Sequence, residues 1–251
     1  VPQKVFLRAK KMSPSSISLV VPVFNEKEII EESVAVFREV LSRICADFEI
    51  IIVDDASDDG TSEILSAIAP RYNIRLMRNP VNLGSGMALW RGFRAARNEL
   101  VVSNFADRPF DLGELVNILP FFSSGAVDFA VVVRRDRSAN SFFRKITSWM
   151  NFLLIRALFG TEIKDFQFVQ IYRKRVLENI NITSKHTFVA PEIIIKAILS
   201  GYKYKQYVSD FHPRPEGRSK YSNPWLILAS ASEIFLFFLE GKLRKTGSAG
   251  K

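Results

Sequence analysis

Short apolar runs that stop abruptly at acidic or amide residues, alternating with segments of helical periodicity, leave this chain few folds to choose from. Residues 17–24 (ISLVVPVF) form one such run and stop at Asn25-Glu26; residues 49–53 (EIIIV) form another and stop at Asp54-Asp55. Between them Ile29, Ile30, Val34, Phe37, Val40 and Leu41 recur at helical spacing over residues 27–45. Thr61 is expected to cap a second helix reaching about residue 69, followed by a strand near 74–77, a helix over 85–97, and strands at 100–103 and 129–133. Strands of this kind are buried on both faces, so the pattern predicts a parallel or mostly parallel α/β sheet flanked by helices. In such sheets ligands sit at the carboxyl ends of the strands. That rule gathers Asn25-Glu26, Asp54-Asp55 and residues 104–107 on one rim.

The back half reads differently. Residues 142–159 and 190–200 are helical in pattern, and the segment 211–220 is basic and turn-rich. Residues 224–239 are apolar apart from Ser230, Ser232 and Glu233, and are followed by Lys242, Arg244 and Lys245. At about 1.5 Å per residue such a helix spans about 24 Å, short of a bilayer core of about 30 Å, and suits the membrane interface better. Core packing or a homo-oligomer interface is the other use for the two apolar helices. The expected division is a polar leader at 1–15, one domain over 16–223, an amphipathic interfacial helix at 224–245 and a tail at 246–251.

Composition removes several classes. The single cysteine, Cys45, excludes a disulfide framework, and with only two histidines a His-rich metal site is not expected. The start of the chain is basic and polar without an apolar stretch, unlike a secretory signal. Charge is unevenly spread: residues 1–133 hold 14 basic and 17 acidic side chains, a balance of 14 − 17 = −3, and residues 134–251 hold 21 and 9, a balance of 21 − 9 = +12. The back half is therefore expected to meet something anionic. Its basic residues are interleaved with apolar stretches and no RNP-like motif is present, so nucleic acid is not the expected partner.

Two constellations carry chemistry. The acidic turn Asp54-Asp55-Ala56-Ser57-Asp58-Asp59-Gly60 has carboxylates able to accept hydrogen bonds from a base or a ribose, although a solvated turn has the same composition. Asn82-Leu83-Gly84-Ser85-Gly86 precedes a helix, where glycines let backbone approach a phosphate and the helix start favours an anion. It is not a dinucleotide fingerprint, which argues against hydride transfer.

Together with Val21-Pro22-Val23-Phe24-Asn25-Glu26, these motifs resemble, in order and spacing, the opening of family 2 glycosyltransferases with the GT-A, Rossmann-like fold. Arg144 to Ser148, Asn151, Arg156, the stretch from Gly160 to Asp165, and His212-Pro213-Arg214, Gly217 and Ser219-Lys220 are similar to the polyprenyl-phosphate group, the dolichyl-phosphate mannose and glucose synthases. The resemblance implies an inverting transfer of sugar from a UDP- or GDP-linked donor to a polyprenyl phosphate, at the cytoplasmic face of a membrane. It assigns the donor to Pro22, Phe24, Asn25, Glu26, Asp54, Asp55, Ser57, Gly84 and Gly86. It assigns the acceptor and phosphates to Arg144, Arg214, Arg218, Ser219 and Lys220, and catalysis to Asp107, Arg108 and Arg214. The lipid lies along 142–159, and Trp225, Phe235, Phe237 and Phe238 insert at an anionic membrane surface.

One motif departs from the group. Where relatives carry Asp-x-Asp, often followed by x-Gln, to hold Mg²⁺ or Mn²⁺, this chain reads Phe105-Ala106-Asp107-Arg108-Pro109. Asp107 alone is left as a metal ligand, with Asn104 and Asp111 as substitutes. Either basic residues such as Arg108 take over from the cation, or the domain binds nucleotide, lipid or a protein without turnover; a plain salt bridge is the simplest role for Arg108. Phe168, in Asp165-Phe166-Gln167-Phe168, replaces a small residue and is expected to narrow the acceptor or sugar pocket. Glu192 is expected to stabilise a helix start, with the sugar as its alternative.

Overall fold

The computed structural model describes residues 16–135, 152–211 and 232–239. Seven strands form one sheet in the order β3-β2-β1-β4-β6-β5-β7. They are β1 (Ser16–Val23), β2 (Asp47–Asp54), β3 (Ile74–Arg78), β4 (Leu100–Ser103), β5 (Phe129–Arg134), β6 (Gln170–Arg173) and β7 (Tyr204–Ser209). All pairings are parallel except those of β6, which runs antiparallel between β4 and β5. The helices are α1 (Ile30–Ile44), α2 (Thr61–Tyr72), α3 (Ser85–Ala95), α4 (Leu115–Ser123), α5 (residues 152–159), α6 (Lys174–Glu178), α7 (Val189–Leu199) and α8 (residues 232–239).

Alternate residues of each strand feed two separate cores, as the two-residue period of a strand requires. Leu19, Val21, Ile50, Ile52, Val102 and Val132 face one cluster, completed by residues of α1, α2 and α4. Val20, Ile51, Val53, Val101 and Val131 face the other, completed by α3, α6, α7 and residues of α5 and α8. This is why the strands read as unbroken apolar runs. Chain order along the sheet reverses between β1 and β4: β2 and β3 continue on one side of β1 and β4 adds on the other. The crevice beyond that reversal is where an open α/β sheet binds its ligand.

Several expected boundaries shift for identifiable reasons. Helix α1 starts at Ile30, because the carbonyl of Glu26 accepts from the N–H groups of both Ile29 and Ile30 in a preceding turn. Thr61 is the first helical residue of α2, not its cap; Gly60 holds the cap position, and the Thr61 N–H donates to Asp59 Oδ1 at 3.0 Å. Helix α2 runs on through Pro70 to Tyr72 and ends at Asn73 in the left-handed region. Strands β6 and β7 and helices α4 and α6 were not anticipated. The strands are short, and β7 is only half-buried at the sheet edge, so neither carries a long apolar run.

Gly92 in α3 sits directly on β1: a Cβ there would meet Val20 Cγ1 at 2.3 Å and Val53 Cγ2 at 3.1 Å. Gly92→Ala should therefore overpack the sheet–helix seam and lower stability by about 1–3 kcal/mol, despite alanine's better helix propensity. Equilibrium urea denaturation monitored by circular dichroism measures it; equal or greater stability would show that α3 moves away from the sheet at little cost.

Candidate functional site

The loops leaving β1 and β2 are stapled to each other at the rim. Asn25 N donates to Ser57 Oγ at 3.0 Å, and the Asn25 amide pairs with Asp58 through Nδ2 to Oδ1 at 2.7 Å and Asp58 N to Oδ1 at 3.0 Å. Glu26 N donates to Thr61 Oγ1 at 2.9 Å. Burial opposes ionisation of Asp59, but hydrogen bonds from Thr61 and Lys27 outweigh it and hold the carboxyl below its ordinary range. Pro22 is buried within β1 opposite Val53, whereas Phe24, Asn25 and Glu26 are half-buried on the rim.

The two carboxylates at the end of β2, Asp54 as its last residue and Asp55 as the next, face inward. Asp54 is 1% exposed and accepts from Ser57 N at 3.0 Å and from Ser62 Oγ, with Arg78 Nε at 3.8 Å. Asp55 is 2% exposed, and its carboxylate clasps the next loop: Oδ1 accepts from Asn79 Nδ2 at 2.6 Å and Leu83 N at 2.9 Å, and Oδ2 from Gly84 N at 2.8 Å. Asn79 in turn accepts from Arg91 of α3. Asp55 thus presents the start of α3 to the rim. Gly84 has a φ of 85°, which only glycine adopts without strain. Gly86 is also required for packing. A Cβ there would lie 2.9 Å from the carbonyl oxygen of His186 and 3.1 Å from Val189 Cβ, so the residue allows α3 to pack on the segment before α7.

The loop after β4 is equally fixed. Asn104 is fully buried, donates to the Phe110 carbonyl at 3.0 Å and accepts from Phe105 N at 2.9 Å. The Ala106 carbonyl accepts from Ser33 Oγ at 2.5 Å. Arg108 has a φ of 51° and pairs with Glu32 of α1 at 2.7 Å, so the salt bridge anticipated as its simplest role is formed. Three of the four non-glycine residues at positive φ among the described residues, Asn25, Ala56 and Arg108, lie on this rim. Backbone strain of that kind concentrates where a loop is held for a purpose.

The fit to a metal is partial. Asp107 is half-buried in the motif, Phe105 packs toward the α3 side of the sheet, Asn104 is committed to backbone, and Asp111 Oδ1 accepts from Gly113 N at 2.8 Å. Among the described residues no group of three or more His, Cys, Asp or Glu is arranged to hold a cation. Asp107 suits a divalent ion only where substrate oxygens complete its shell.

On the other side of β4, the rim carries a pair that sequence reasoning missed. Arg134, at the carboxyl end of β5, makes a two-point ion pair with Asp165, 2.7 Å and 3.2 Å, and lies over the rings of Phe168 and Phe211. Asp165 is 3% exposed. The signal was available: Arg134 ends an apolar run just as Asp54 does. Phe168 is 3% exposed and edge-on to Phe110 and Phe211, so its bulk is taken up in the core under Arg134. Of the acceptor residues, Arg144, Arg214, Arg218, Ser219 and Lys220 lie outside the described residues, as do Asn151, His212 and Trp225; Arg156 is exposed on α5.

Helix α8 corrects the interfacial reading in part. Ile234 and Phe237 are buried in the domain core, Phe237 against Phe159 and Phe188, whereas Phe235, Leu236 and Leu239 face outward. No helix among the described residues is long and apolar enough to cross a membrane. Glu192 stands in the first turn of α7, where a carboxylate favours the helix start as expected, and it also reaches the segment before the helix. It is fully buried and accepts from Thr183 N and Ser184 N, each at 2.9 Å, and pairs with Lys196 at 2.6 Å.

The glycosyl transferase family 2 model matches residues 18–181. A glycosyltransferase of Haloferax volcanii, AglD, is 30% identical over 87% of this chain and 36% of its own length. The dodecaprenyl-phosphate galacturonate synthase of Rhizobium johnstonii is 25% identical over 91% of this chain and 68% of its own. The undecaprenyl-phosphate 4-deoxy-4-formamido-L-arabinose transferase of Pectobacterium atrosepticum is 31% identical over 64% and 50%. The chain thus spans from about a third to two thirds of the length of these relatives. Among solved structures, glucosyl-3-phosphoglycerate synthase from Mycobacterium tuberculosis, in complex with Mn²⁺, UDP and glucosyl-3-phosphoglycerate, superimposes with a TM-score of 0.65 at 18% identity, over 88% of this chain and 78% of that one. Mannosyl-3-phosphoglycerate synthase from Rubrobacter xylanophilus gives 0.66 at 16% identity, over 94% and 76%. The fold is GT-A.

Removing the Asp55 clasp should be costly, because Asp55→Ala takes the acceptor from Asn79 Nδ2 and Leu83 N and leaves Gly84 N with Asn82 Oδ1 alone. A loss of about 2–4 kcal/mol is expected in denaturant titration; a change under about 0.5 kcal/mol would mean the loop finds other partners. Glu192 supplies a pH test. Burial disfavours its charge, but Lys196, Ser184 and Thr183 outweigh that and hold its carboxyl below the ordinary glutamate range. A folded-state value below the unfolded one means its stabilisation is complete above the unfolded value and is lost as pH falls through the folded one. The stability gap between wild type and Glu192→Gln should therefore be widest near neutral pH and shrink below about pH 4. A gap independent of pH would remove the charge from the account.

Proposed function

The chain belongs to glycosyl transferase family 2, and from that premise we propose that it transfers a sugar from a nucleoside-diphosphate sugar to the phosphate of a polyprenyl phosphate, at the cytoplasmic face of a membrane. The observation that carries the donor half is the Asp55 clasp, which holds Leu83 and Gly84 at the start of α3 beside the crevice where the sheet order reverses. The donor lies across that crevice, with the base and ribose against Phe24, Asn25, Glu26 and Ser57, in a frame set by Asp54 and Asp55. Two relatives named for dodecaprenyl and undecaprenyl phosphate support the acceptor.

The reaction needs little from a base. A lipid phosphate is anionic near neutral pH, so its oxygen attacks the anomeric carbon as the bond to the nucleoside diphosphate breaks, and the anomeric configuration inverts. The protein positions the two substrates and offsets charge on the departing diphosphate. Arg214, Arg218 and Lys220 are assigned that work with Arg134, whose guanidinium is already oriented by Asp165. Arg108 would have to leave Glu32 to join them. Asp107 is the residue that would hold Mg²⁺ or Mn²⁺, an ion that neutralises the diphosphate when bound.

The outward side chains Phe235, Leu236 and Leu239 of α8 and Leu153 of α5 form the proposed contact with the membrane surface. Ile234 and Phe237 bind the same helix to the domain, which makes the association peripheral.

Transfer is tested with a panel of UDP- and GDP-sugars and a short polyprenyl phosphate, in Mg²⁺, in Mn²⁺ and in EDTA. Product from at least one donor is expected; folded protein that binds nucleotide and yields none would leave a binding domain instead. For the membrane, replacing Phe235, Leu236 and Leu239 together by Ser should lower binding to anionic vesicles on the order of tenfold or more without loss of fold. Unchanged co-sedimentation would move the contact elsewhere.

A further inference from the structure

Glu233 is the one charged side chain in residues 232–239, and it points into the domain. A single oxygen, Oε1, accepts from Lys185 N at 2.8 Å, His186 N at 3.3 Å and His186 Nδ1 at 2.9 Å. An ionised carboxylate only accepts, so Nδ1 of His186 carries the hydrogen in this arrangement. Oε2 is buried with no hydrogen-bond partner among the described residues. Apolar packing by Ile234 and Phe237 would hold α8 without specifying where along the seam it sits. The three-donor bond ties it to two particular residues.

Those two residues lead to the donor loop. The carbonyl of His186 accepts from Val189 N at 3.4 Å and abuts Gly86, where a Cβ would stand 2.9 Å from it. Gly84, two residues earlier, is held from the opposite side by Asp55 Oδ2. The first turn of α3 is therefore clamped between β2 and the segment that Glu233 fastens. Helix α7 adds a second fastening to the same segment through Glu192 and the N–H groups of Thr183 and Ser184.

We infer that Glu233 is a positioning residue for the donor site: by fixing residues 185–186 it sets where the start of α3 stands, and so couples α8, the helix with the exposed apolar face, to nucleotide binding. This rests on the donor reading above. The two can fail separately. Calorimetric titration of the 251-residue chain with UDP and with GDP, in buffer containing Mg²⁺, compares wild type with Glu233→Ala, Glu233→Gln and His186→Ala.

Glu233→Ala should weaken the nucleotide that wild type binds on the order of tenfold, and His186→Ala about threefold, because it removes one donor of three. Glu233→Gln, which keeps an accepting oxygen, should recover most of the affinity. A purely structural part for Glu233 would instead lower Tm and leave Kd alone. Wild-type affinity, to within about twofold, in both alanine variants would overturn the inference and spare the donor reading. Failure of wild type to bind either nucleotide would overturn both. If Glu233→Ala does not fold, His186→Ala, at a half-exposed position, decides between the same outcomes.

Discussion

The buried carboxylate of Asp55 is the interaction on which the rim of this domain depends. It directly follows β2, and its two oxygens take up three N–H groups from the next loop, of which the Gly84 N–H is shared with Asn82 Oδ1. A charge so placed is tolerable only because every donor it meets is well aligned. The start of α3 inherits its position from that bond, and Asn79 passes the constraint on to Arg91, nearly two turns into the helix. The rim is consequently built before any ligand arrives. That suits a reaction in which positioning, rather than acid–base chemistry, is the larger part of catalysis.

The two faces of the sheet divide the labour. Helices α1, α2 and α4 close one core and carry the anchors of the rim loops, among them Ser33 for Ala106 and Glu32 for Arg108. The other face carries α3, α7 and α8, and links the start of α3 through Gly86 and His186 to the helix whose outer surface is apolar. A charge asymmetry runs along the chain as well. The acidic first half builds the rim at the ends of β1, β2 and β4, and the basic second half contributes Arg134, held by Asp165, at the end of β5.

Much of the fold was legible because the relevant signals are local. The runs at 17–24 and 49–53 are buried on both faces, so no polar alternation hides them, and their abrupt ends mark the rim. Strands β6 and β7 were illegible for the converse reason: four residues of β6 and a half-buried edge strand hold no periodic pattern of their own and exist because neighbours offer a ladder. The places of Asp54, Asp55, Ser57 and Gly84 on the rim were legible from their position at a strand end or before a helix. Their duties were less visible. Asp55, read from the sequence as a donor ligand, also holds the protein's own loop through Asn79 Nδ2, Leu83 N and Gly84 N, a second duty that composition cannot show.

What the amino-acid sequence determined by itself is the class of sheet, the rim on which chemistry collects and the family, since each follows from patterns within about ten consecutive residues. Tertiary structure alone decided which side chains are committed inward. Glycines 84 and 86 look equivalent in sequence, yet one is needed for its positive φ and the other for the closeness of His186. Phe235 and Phe237 are both phenylalanines of one apolar helix, and only the second is buried, because contact with Phe159 and Phe188 selects one face of α8. The physical reason is the same in each case: hydrogen bonds and close packing between segments far apart in the chain depend on distances that no local pattern encodes.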